Sequence, residues 1–202
     1  MISRQLIDLV NSGRAVSITG SGISADAGIP TWNRLLELVA DTLEVQERCD
    51  TAAARALASS GRLPEAFQAL ADTTSRSNIH DRVTTIANTV QDPGRYHIQL
   101  ADWPFCFYIT TNYDHLLENA SRGRLASVGN RGSELHKIGG GNAGFVWHLH
   151  GGCGLGNAAS SLVVTRGDYE DYYPSSNVVD KLKASATSHQ CVFIGFGFNS
   201  PR

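Results

Sequence analysis

Apolar residues near the start of the chain fall first into a helical repeat and then into a short continuous run. Across residues 2–10 they recur three to four positions apart, and Gly13 follows where helices often end in a left-handed residue. Ala15–Thr19 then reads AVSIT, a β-prone apolar run that leads into the glycines of GSGIS. This pattern predicts a helix followed by a buried parallel strand and a glycine loop.

A long helical segment follows this loop. From Trp32 to about residue 89 the apolar residues keep a helical spacing, and no strand interrupts them. The segment is too long for a single crossover between parallel strands. We therefore predict a helical insertion at about residues 33–100, whose small helices cap or flank the site that the first loop opens.

Strands alternate with helices through the rest of the chain. A second buried strand, FCFYIT at residues 105–110, runs into TNYDHLLENA, which has the pattern of a helix start, and another helix is predicted over residues 177–188. The remaining strand candidates are short apolar runs at residues 125–128, 145–149, 162–165 and 191–196. This alternation predicts an α/β fold with a Rossmann-like, doubly wound parallel sheet, which we place in a single domain over residues 1–202.

The chain ends in GFGFNSPR, directly after an apolar strand and its glycine turn. A doubly wound fold normally continues into another helix here, so the C-terminal end has the pattern of a truncated fold. A natural short protein, a fragment and the ordered part of a longer chain all remain compatible with this ending.

The composition is that of one ordinary folded domain. The 202 residues are 42% hydrophobic and 18% charged, which excludes a disordered or fibrous chain. Seventeen Lys and Arg residues against nineteen Asp and Glu residues give a net charge of −2 without a basic run, so direct contact with nucleic acid is not expected. The apolar runs fall short of the roughly 18 residues of a spanning helix, and the N-terminus is too polar for a signal peptide. We expect a cytoplasmic protein without a membrane partner.

The four cysteines are far apart and form no C-x-x-C pair, so we predict no metal site from them. Cys106 and Cys191 lie inside apolar runs, where a free thiol usually behaves as a small buried hydrophobic group. Cys153 follows two glycines, and its role stays open.

Gly20, Gly22 and Ala25 follow the first predicted strand and fit the G-x-G-x-x-G/A pattern of dinucleotide-binding loops. The glycines of such loops let backbone N–H groups approach a pyrophosphate. The acidic residue that usually holds the adenine ribose is missing, because helices follow instead of a second strand. A glycine turn that only packs a helix against a strand explains this motif equally well.

A longer match extends this loop. The string GSGISADAGIPTW at residues 20–32 resembles the G-A-G-x-S-x-x-S/A-G-I-P signature of sirtuins, a family that binds NAD. Three further stretches match in order: TTNYD at residues 110–114 looks like the sirtuin T-Q-N-x-D, His150 and Gly151 look like its H-G pair, and GFG at residues 195–197 looks like its late glycine turn. The four matches span nearly the whole chain.

The resemblance implies which residues contact NAD+. Those in the loops after the strands are small or apolar, and they are Gly20, Ser21, Gly22, Ile23, Ser24, Gly195 and Gly197. Among them, the first glycines and serines would cradle the pyrophosphate, Ile23 would wall the nicotinamide pocket, and the two late glycines would line the adenosine side. Thr31 and Trp32 take the places of the sirtuin D-F pair, so Trp32 would pack against NAD+ near the reacting ribose.

Three polar residues carry the chemistry that the resemblance implies. Asn112 would hold the nicotinamide ribose or the attacking water, Asp114 would grip the carboxamide, and His150 would act as general base at a ribose hydroxyl. Nicotinamide leaves as a neutral ring through an oxocarbenium-like transition state, so the reaction needs little acid assistance. A neutral amide and a histidine that titrates near neutrality suit it, and such a base typically contributes about 10²-fold to 10⁴-fold.

Purely structural roles compete with these assignments. Asn112 and Asp114 are also favoured caps for a helix that begins near Tyr113. By their spacing His148 and His150 face the same side of a strand, so one of them can be structural, and we favour His150 as the base because a glycine follows it. The other histidines lack supporting neighbours and are expected on the surface: His80, His97, His115, His136 and His189.

The chain departs from the protein-deacylating sirtuins. It has no four-cysteine zinc module, and Asn33 and Thr111 stand where deacylases usually have Arg and Gln. The zinc-free form has TTNYD, WHLHG, a T-x-x-D-Y segment at Thr165, Asp168 and Tyr169, and a G-F-x-F-N-x-P ending. It is similar to the sirtuin-like effector domains of bacterial anti-phage defence, which hydrolyse NAD+ and are joined to, or assembled with, a sensor of infection.

This similarity implies an NAD glycohydrolase that releases nicotinamide and ADP-ribose, with NAD+ as substrate and without a metal. It also implies an active oligomer that a sensor or activator gates. Two other classes stay open. A protein deacylase or ADP-ribosyltransferase would cleave the same bond and pass the ribose to another nucleophile, whereas a catalytically silent module would bind NAD+ or ADP-ribose without turnover.

Overall fold

The computed structural model describes residues 4–47, 49–138, 144–156, 161–175 and 177–197. Its strands are β1 (Ala15–Thr19), β2 (Tyr108–Thr110), β3 (Ala126–Val128), β4 (Phe145–His148) and β5 (Gln190–Ile194). All neighbouring strands are parallel, and their order across the sheet is β3-β4-β2-β1-β5. The predicted Rossmann-like α/β sheet is therefore confirmed.

Helices flank this sheet. They are α1 (Arg4–Asn11), α2 (Gly22–Ala25), α3 (Trp32–Glu47), α4 (Ala52–Ser59), α5 (Leu63–Thr73), α6 (Arg76–Ala87), α7 (Arg95–Ala101), α8 (Leu116–Ala120), α9 (Gly132–Leu135), α10 (Arg166–Ser175) and α11 (Val178–Ser188). Helices α3 to α7 fill the stretch between β1 and β2, where the helical insertion was predicted. In the described part of the chain, no helix is long and apolar enough to cross a membrane.

The central strands are buried because their alternate side chains enter different apolar clusters. Ile109 and Trp147, which are paired across β2 and β4, pack on one face of the sheet. Tyr108 and Val146, the preceding pair, pack on the other face. Helices α3 to α6 enclose a third cluster around Phe67. Burial of this apolar surface is the main term that favours the fold.

The strand predicted at residues 162–165 is wrong. Val163 and Val164 are buried, but this stretch joins no sheet. The Asp168 carboxylate accepts the N–H groups of Val164 and Thr165 at 3.0 and 2.7 Å, and the Asp168 N–H donates to Thr165 Oγ1 at 3.2 Å. This reciprocal cap starts α10 and uses the donors that a strand would need. The run is apolar because it is buried and not because it pairs with a strand.

The order of the strands reverses at β1. The chain passes from β1 to β2 on one side and returns to β5 on the other. In open parallel sheets, ligands bind in the crevice beyond the carboxyl ends of the strands at such a reversal. The loops after β1, β2 and β5, together with the loop after the neighbouring strand β4, are therefore where a functional site is expected.

Candidate functional site

The loop after β1 packs closely against the turn after β5. The N–H groups of Gly20 and Gly22 donate to Ile194 O and Gly195 O, both at 2.9 Å. A Cβ atom at Gly22 would lie 2.7 Å from Gly195 O, and Gly195 itself has a φ of +76°. Glycine is therefore required where these two backbones meet. The Gly22 N–H already donates to Gly195 O, so in this conformation the loop packs against the turn after β5. Its role as a pyrophosphate cradle stays a prediction.

Ser24 on α2 is the centre of a buried hydrogen-bond network. Its Oγ donates to Asp114 Oδ2 and accepts from Asn112 Nδ2, both at 2.9 Å, and His97 Nε2 lies 3.2 Å away. His97 Nδ1 accepts the Gly94 N–H at 3.2 Å. In the neutral ring Nε2 therefore carries the hydrogen and donates it to Ser24. The Ser24 hydroxyl thus has two donors and one acceptor around it and holds Asn112 and Asp114 in place.

The neighbours of Asn112 fix which way its amide points. Nδ2 lies 3.2 Å from Gly20 O, and a carbonyl can only accept, so the amide nitrogen faces it. Gly20 and Ser24 use both hydrogens of this nitrogen. None of the described residues donates a hydrogen bond to Asn112 Oδ1. This oxygen is the atom that Asn112 has available for a ligand.

His97 is a member of the site that the sequence reasoning missed. It was expected on the surface, but its side chain is completely buried beside Ser24. Burial lowers the pKa of His97, against the opposing charge of Asp114. One signal was available in the sequence, since Gly94 stands three residues earlier, at the N-cap of α7, where a side chain at His97 can reach its backbone N–H.

Trp32 and Asp114 line a small cavity at this edge of the sheet. The other residues around it include Ser21, Ser24, Ile29, Pro30 and Asn112. Its volume of about 20 Å³ holds about one water molecule, so a nicotinamide ring does not fit in this conformation. The Trp32 ring packs edge-on against Phe67 at 5.7 Å. Thr31 is exposed, and its carbonyl starts α3 by accepting the Leu35 N–H.

Two predicted residues lie away from this cavity. Ile23 packs into the apolar cluster that contains Tyr108 and does not line the cavity. Gly197 is exposed, and a Cβ atom there would meet nothing within 4 Å. Their predicted contacts with NAD+ have no counterpart in the described conformation and stay predictions.

His150 follows β4, but its side chain faces α10 instead of the cavity. Nε2 lies 2.9 Å from the Tyr173 hydroxyl, and the ring packs edge-on against Tyr169 at 5.2 Å. Nδ1 is buried without a hydrogen-bond partner in the described part of the chain. Burial lowers the pKa of His150 to about 4, so the ring is neutral at pH 7 and is a weak base while it stays enclosed.

His148 lies in a different environment from His150. It is fully buried, its Nδ1 lies 3.2 Å from Asn112 O, and its Nε2 lies 2.7 Å from Glu118 Oε1. Strand β4 ends at His148, so the alternation of side chains does not extend to His150. The two histidines therefore meet different neighbours, although their spacing predicted a common side.

The expectation that the other histidines lie on the surface is wrong for three more of them, and His136 alone of the five is exposed. His189 is half-buried, and its ring packs edge-on against Phe107 at 5.3 Å. His80 is half-buried, and its Nε2 lies 2.8 Å from Asp168 Oδ2. His115 is half-buried against Cys153 O and Glu118. Asp168 and Cys153 are partners far along the chain, so the spacing of residues did not reveal these contacts.

A larger cleft of about 1190 Å³ lies beyond α6, near α9 and α11. Its lining includes Asn130, Cys153, Asp168 and Lys181, but neither Asn112 nor His150. Burial raises the pKa of the Cys153 thiol to about 11. Cys153, which the sequence left open, is therefore a protonated buried thiol and not an activated nucleophile.

The sequence of the chain is similar to those of known proteins. Residues 107–202 match the family described as SIR2-like domain. The whole chain aligns with proteins named NAD(+) hydrolase ThsA, at 28% identity for that of Acinetobacter baumannii and 24% for those of Cytobacillus dafuensis and Enterococcus faecium. The chain spans 40%, 39% and 41% of the lengths of these relatives.

Proposed function

We propose that this chain, which carries a SIR2-like domain, hydrolyses NAD+ to nicotinamide and ADP-ribose. The observation that carries the proposal is the Ser24 network, which holds Asn112 and Asp114 at the carboxyl edge of the sheet and leaves Asn112 Oδ1 available. The similarity of the whole chain to proteins named NAD(+) hydrolase supports the same reaction.

The reaction needs few groups from the protein. The bond between C1′ of the ribose and the nicotinamide nitrogen breaks, and its electron pair makes the departing ring neutral. The oxygen of a water molecule forms the new bond to C1′, and that water loses a proton. In our proposal Asn112 orients the water or the ribose, Asp114 holds the carboxamide, and His150 accepts the proton.

Turnover also requires a change of conformation. Tyr169 and Tyr173 enclose His150, and the cavity beside Asn112 is too small for nicotinamide. Exposure of the His150 ring to solvent and substrate would move its pKa from about 4 towards its ordinary value of 6.5, where it is a better base at neutral pH. The proposed active state therefore has α10 displaced from His150.

We further propose that the hydrolysis serves anti-phage defence by depleting NAD+. Support comes from the similarity of the TTNYD and WHLHG segments to effector domains of such systems. A sensor, an activator or a second copy of the chain would displace α10 from His150. This gating fits the enclosed His150, and a cytoplasmic location would give the site access to NAD+.

The products formed from NAD+ test the proposed reaction. The purified chain is incubated with NAD+, with and without an acetyl-lysine peptide, and nicotinamide, ADP-ribose and acyl-ADP-ribose are measured. We expect nicotinamide and ADP-ribose without peptide, at the rate that spontaneous displacement of α10 allows, and a loss of both in His150→Ala. His136→Ala, which replaces an exposed histidine, is the matched control and should behave as the unchanged chain.

Other outcomes would assign the chain to a different class. Release of nicotinamide only with peptide, together with acyl-ADP-ribose, would replace the hydrolase with a deacylase. NAD+ binding without release, also when α10 is loosened by substitution, would identify a silent module.

A further inference from the structure

His115, Glu118 and His148 come together from two separate parts of the fold, the start of α8 and the end of β4. His115 follows β2, Glu118 lies on α8 and His148 ends β4, and the atoms that they would offer to a metal lie within 4.8 Å of one another. The centroids of the two histidine rings are 4.6 Å apart. His148 is fully buried, and the Glu118 side chain is only 10% exposed. The cluster lies outside the cavity beside Asn112.

Backbone carbonyls determine which nitrogen of each ring carries a hydrogen. His148 Nδ1 lies 3.2 Å from Asn112 O, and His115 Nε2 is hydrogen-bonded to Cys153 O. A carbonyl only accepts, so both of these nitrogens are donors. In neutral rings the lone pairs then lie on His148 Nε2 and His115 Nδ1. These two atoms face Glu118 Oε1 at 2.7 and 3.2 Å.

With both rings neutral, this arrangement has no positive charge at its centre. Two neutral rings would direct lone pairs at a carboxylate oxygen, which is repulsive. Ser127 supplies one hydroxyl hydrogen to Glu118 Oε1, and Glu118 Oε2 is buried without a hydrogen-bond partner among the described residues. A metal ion between these atoms would accept both ring lone pairs and balance the charge of the Glu118 carboxylate.

We propose that His115 Nδ1, His148 Nε2 and the Glu118 carboxylate bind a divalent transition-metal ion, with Zn²⁺ as the probe. Two imidazole nitrogens and a carboxylate form a ligand set that suits zinc. A histidine that binds a metal commonly donates its other N–H to a backbone carbonyl, the part that Asn112 O and Cys153 O take here. Ligand atoms of a tetrahedral zinc site are about 3.4 Å apart, so His148 and Glu118 would separate slightly.

The ion would join the loop after β2, α8 and the end of β4. His148 also donates to Asn112 O, so a bound ion that fixes His148 would also fix the loop that carries Asn112. This is a positioning role and needs no part in bond cleavage. The inference rests on the cluster alone, so its failure and the failure of NAD+ hydrolysis are distinguishable.

Metal titration tests the site directly. The chain is stripped with a chelator, titrated with Zn²⁺, dialysed, and analysed for bound metal. We expect about one zinc ion per chain. Glu118→Gln keeps the size of the side chain and removes the anionic ligand, so it should lower the Zn²⁺ affinity by at least about 100-fold. Glu134→Gln on α9, where Glu134 pairs with Lys137, is the matched control and should bind Zn²⁺ as the unchanged chain does.

Co²⁺ gives a second measurement that needs no variant. Coordination by nitrogen and oxygen produces visible absorption without the near-ultraviolet band of thiolate ligands, which separates this site from binding at the free cysteines. The proposal is overturned if the chain binds no stoichiometric Zn²⁺ or if Glu118→Gln leaves the affinity unchanged. A thiolate band in the Co²⁺ spectrum would also overturn it. If Glu118→Gln does not fold, the spectrum of the unchanged chain decides.

Discussion

The two halves of the candidate site differ in how their polar groups are satisfied. Around Ser24, the hydroxyl donates to the Asp114 carboxylate and accepts from the Asn112 amide, and His97 Nε2 donates a further hydrogen. Around His150, one ring nitrogen meets the Tyr173 hydroxyl and the other has no partner in the described residues. The first half follows β1 and β2 and the second follows β4, which neighbours β2, so both lie at the carboxyl ends of the parallel strands.

This difference teaches that the groups proposed to orient the substrate are already in place, whereas the proposed base is enclosed. In the Ser24 half, a substitution should act mainly by leaving buried groups unpaired, and so should lower stability. In the His150 half, a substitution should act mainly on protonation and on the closure of α10. Four changes test this contrast, and the largest expected effect comes first.

Gly195→Ala should break the contact that supports the Ser24 half. A Cβ atom at Gly195 would lie 2.8 Å from Ile23 N and 2.9 Å from Gly20 O, and φ there is +76°. The strain and the clash together should lower the free energy of unfolding by about 4 kcal/mol. Gly61→Ala is the matched control, because Gly61 has a φ of +79° with nothing within 4 Å. It should cost only about 1 kcal/mol. If denaturant unfolding shows the same loss of unfolding free energy for Gly195→Ala and Gly61→Ala, the close contact at Gly195 is contradicted.

The pH dependence of stability should report the enclosure of His150. Its pKa is lowered from 6.5 to about 4 in the folded chain, so only the unfolded chain takes up this proton as the pH falls through that range. The part of the free energy of unfolding that depends on a neutral His150 is therefore complete above pH 6.5 and is lost as the pH falls towards 4. It amounts to at most about 3 kcal/mol.

His150→Gln removes this titration. Its unfolding free energy, followed by denaturant titration at several pH values, should fall less than that of the unchanged chain between pH 6.5 and 4. His136→Gln should follow the unchanged chain. Parallel curves for all three proteins would show that His150 is not enclosed.

Ser24→Ala should test the saturated network. The change leaves the Asp114 carboxylate without this donor and the side chains of Asn112 and His97 without their acceptor. We expect the free energy of unfolding to fall by about 2 kcal/mol, since buried polar groups lose their partners. Ser59→Ala, at an exposed serine on α4, should change it by less than about 0.5 kcal/mol. A cost for Ser24→Ala no larger than this control would mean that the network adds nothing to stability.

Tyr173→Phe should have the smallest effect and should act on closure. It removes the hydroxyl that bonds to His150 Nε2 and keeps the ring. The enclosed state should lose about 1 kcal/mol, so NAD+ hydrolysis, if it requires exposure of His150, should rise roughly fivefold. Tyr96→Phe, at an exposed tyrosine, should leave the rate unchanged. A slower reaction in Tyr173→Phe would instead show that the Tyr173 hydroxyl assists His150 in the reaction.

The sheet could be predicted because each strand is a short apolar run that a glycine or polar loop ends, as AVSIT and FCFYIT show. The prediction failed at residues 162–165, where the side chain of Asp168 takes the backbone donors and no local pattern reveals this. His97 was missed for the same kind of reason, since Ser24, the partner of its Nε2, lies 73 positions away in the sequence. The cysteine spacing predicted no metal site, but it could not weigh the local pair His115 and Glu118, beside which folding places His148.

The most direct test of the account is the rate of nicotinamide release from NAD+ by Asn112→Ala, compared with the unchanged chain and with Asn119→Ala, which replaces an exposed asparagine on α8. Loss of Asn112 removes the group proposed to orient the water or the ribose. We predict that its rate falls by at least about 100-fold while the chain still unfolds cooperatively, and that Asn119→Ala keeps the full rate. A folded Asn112→Ala that releases nicotinamide as fast as the unchanged chain would contradict the account.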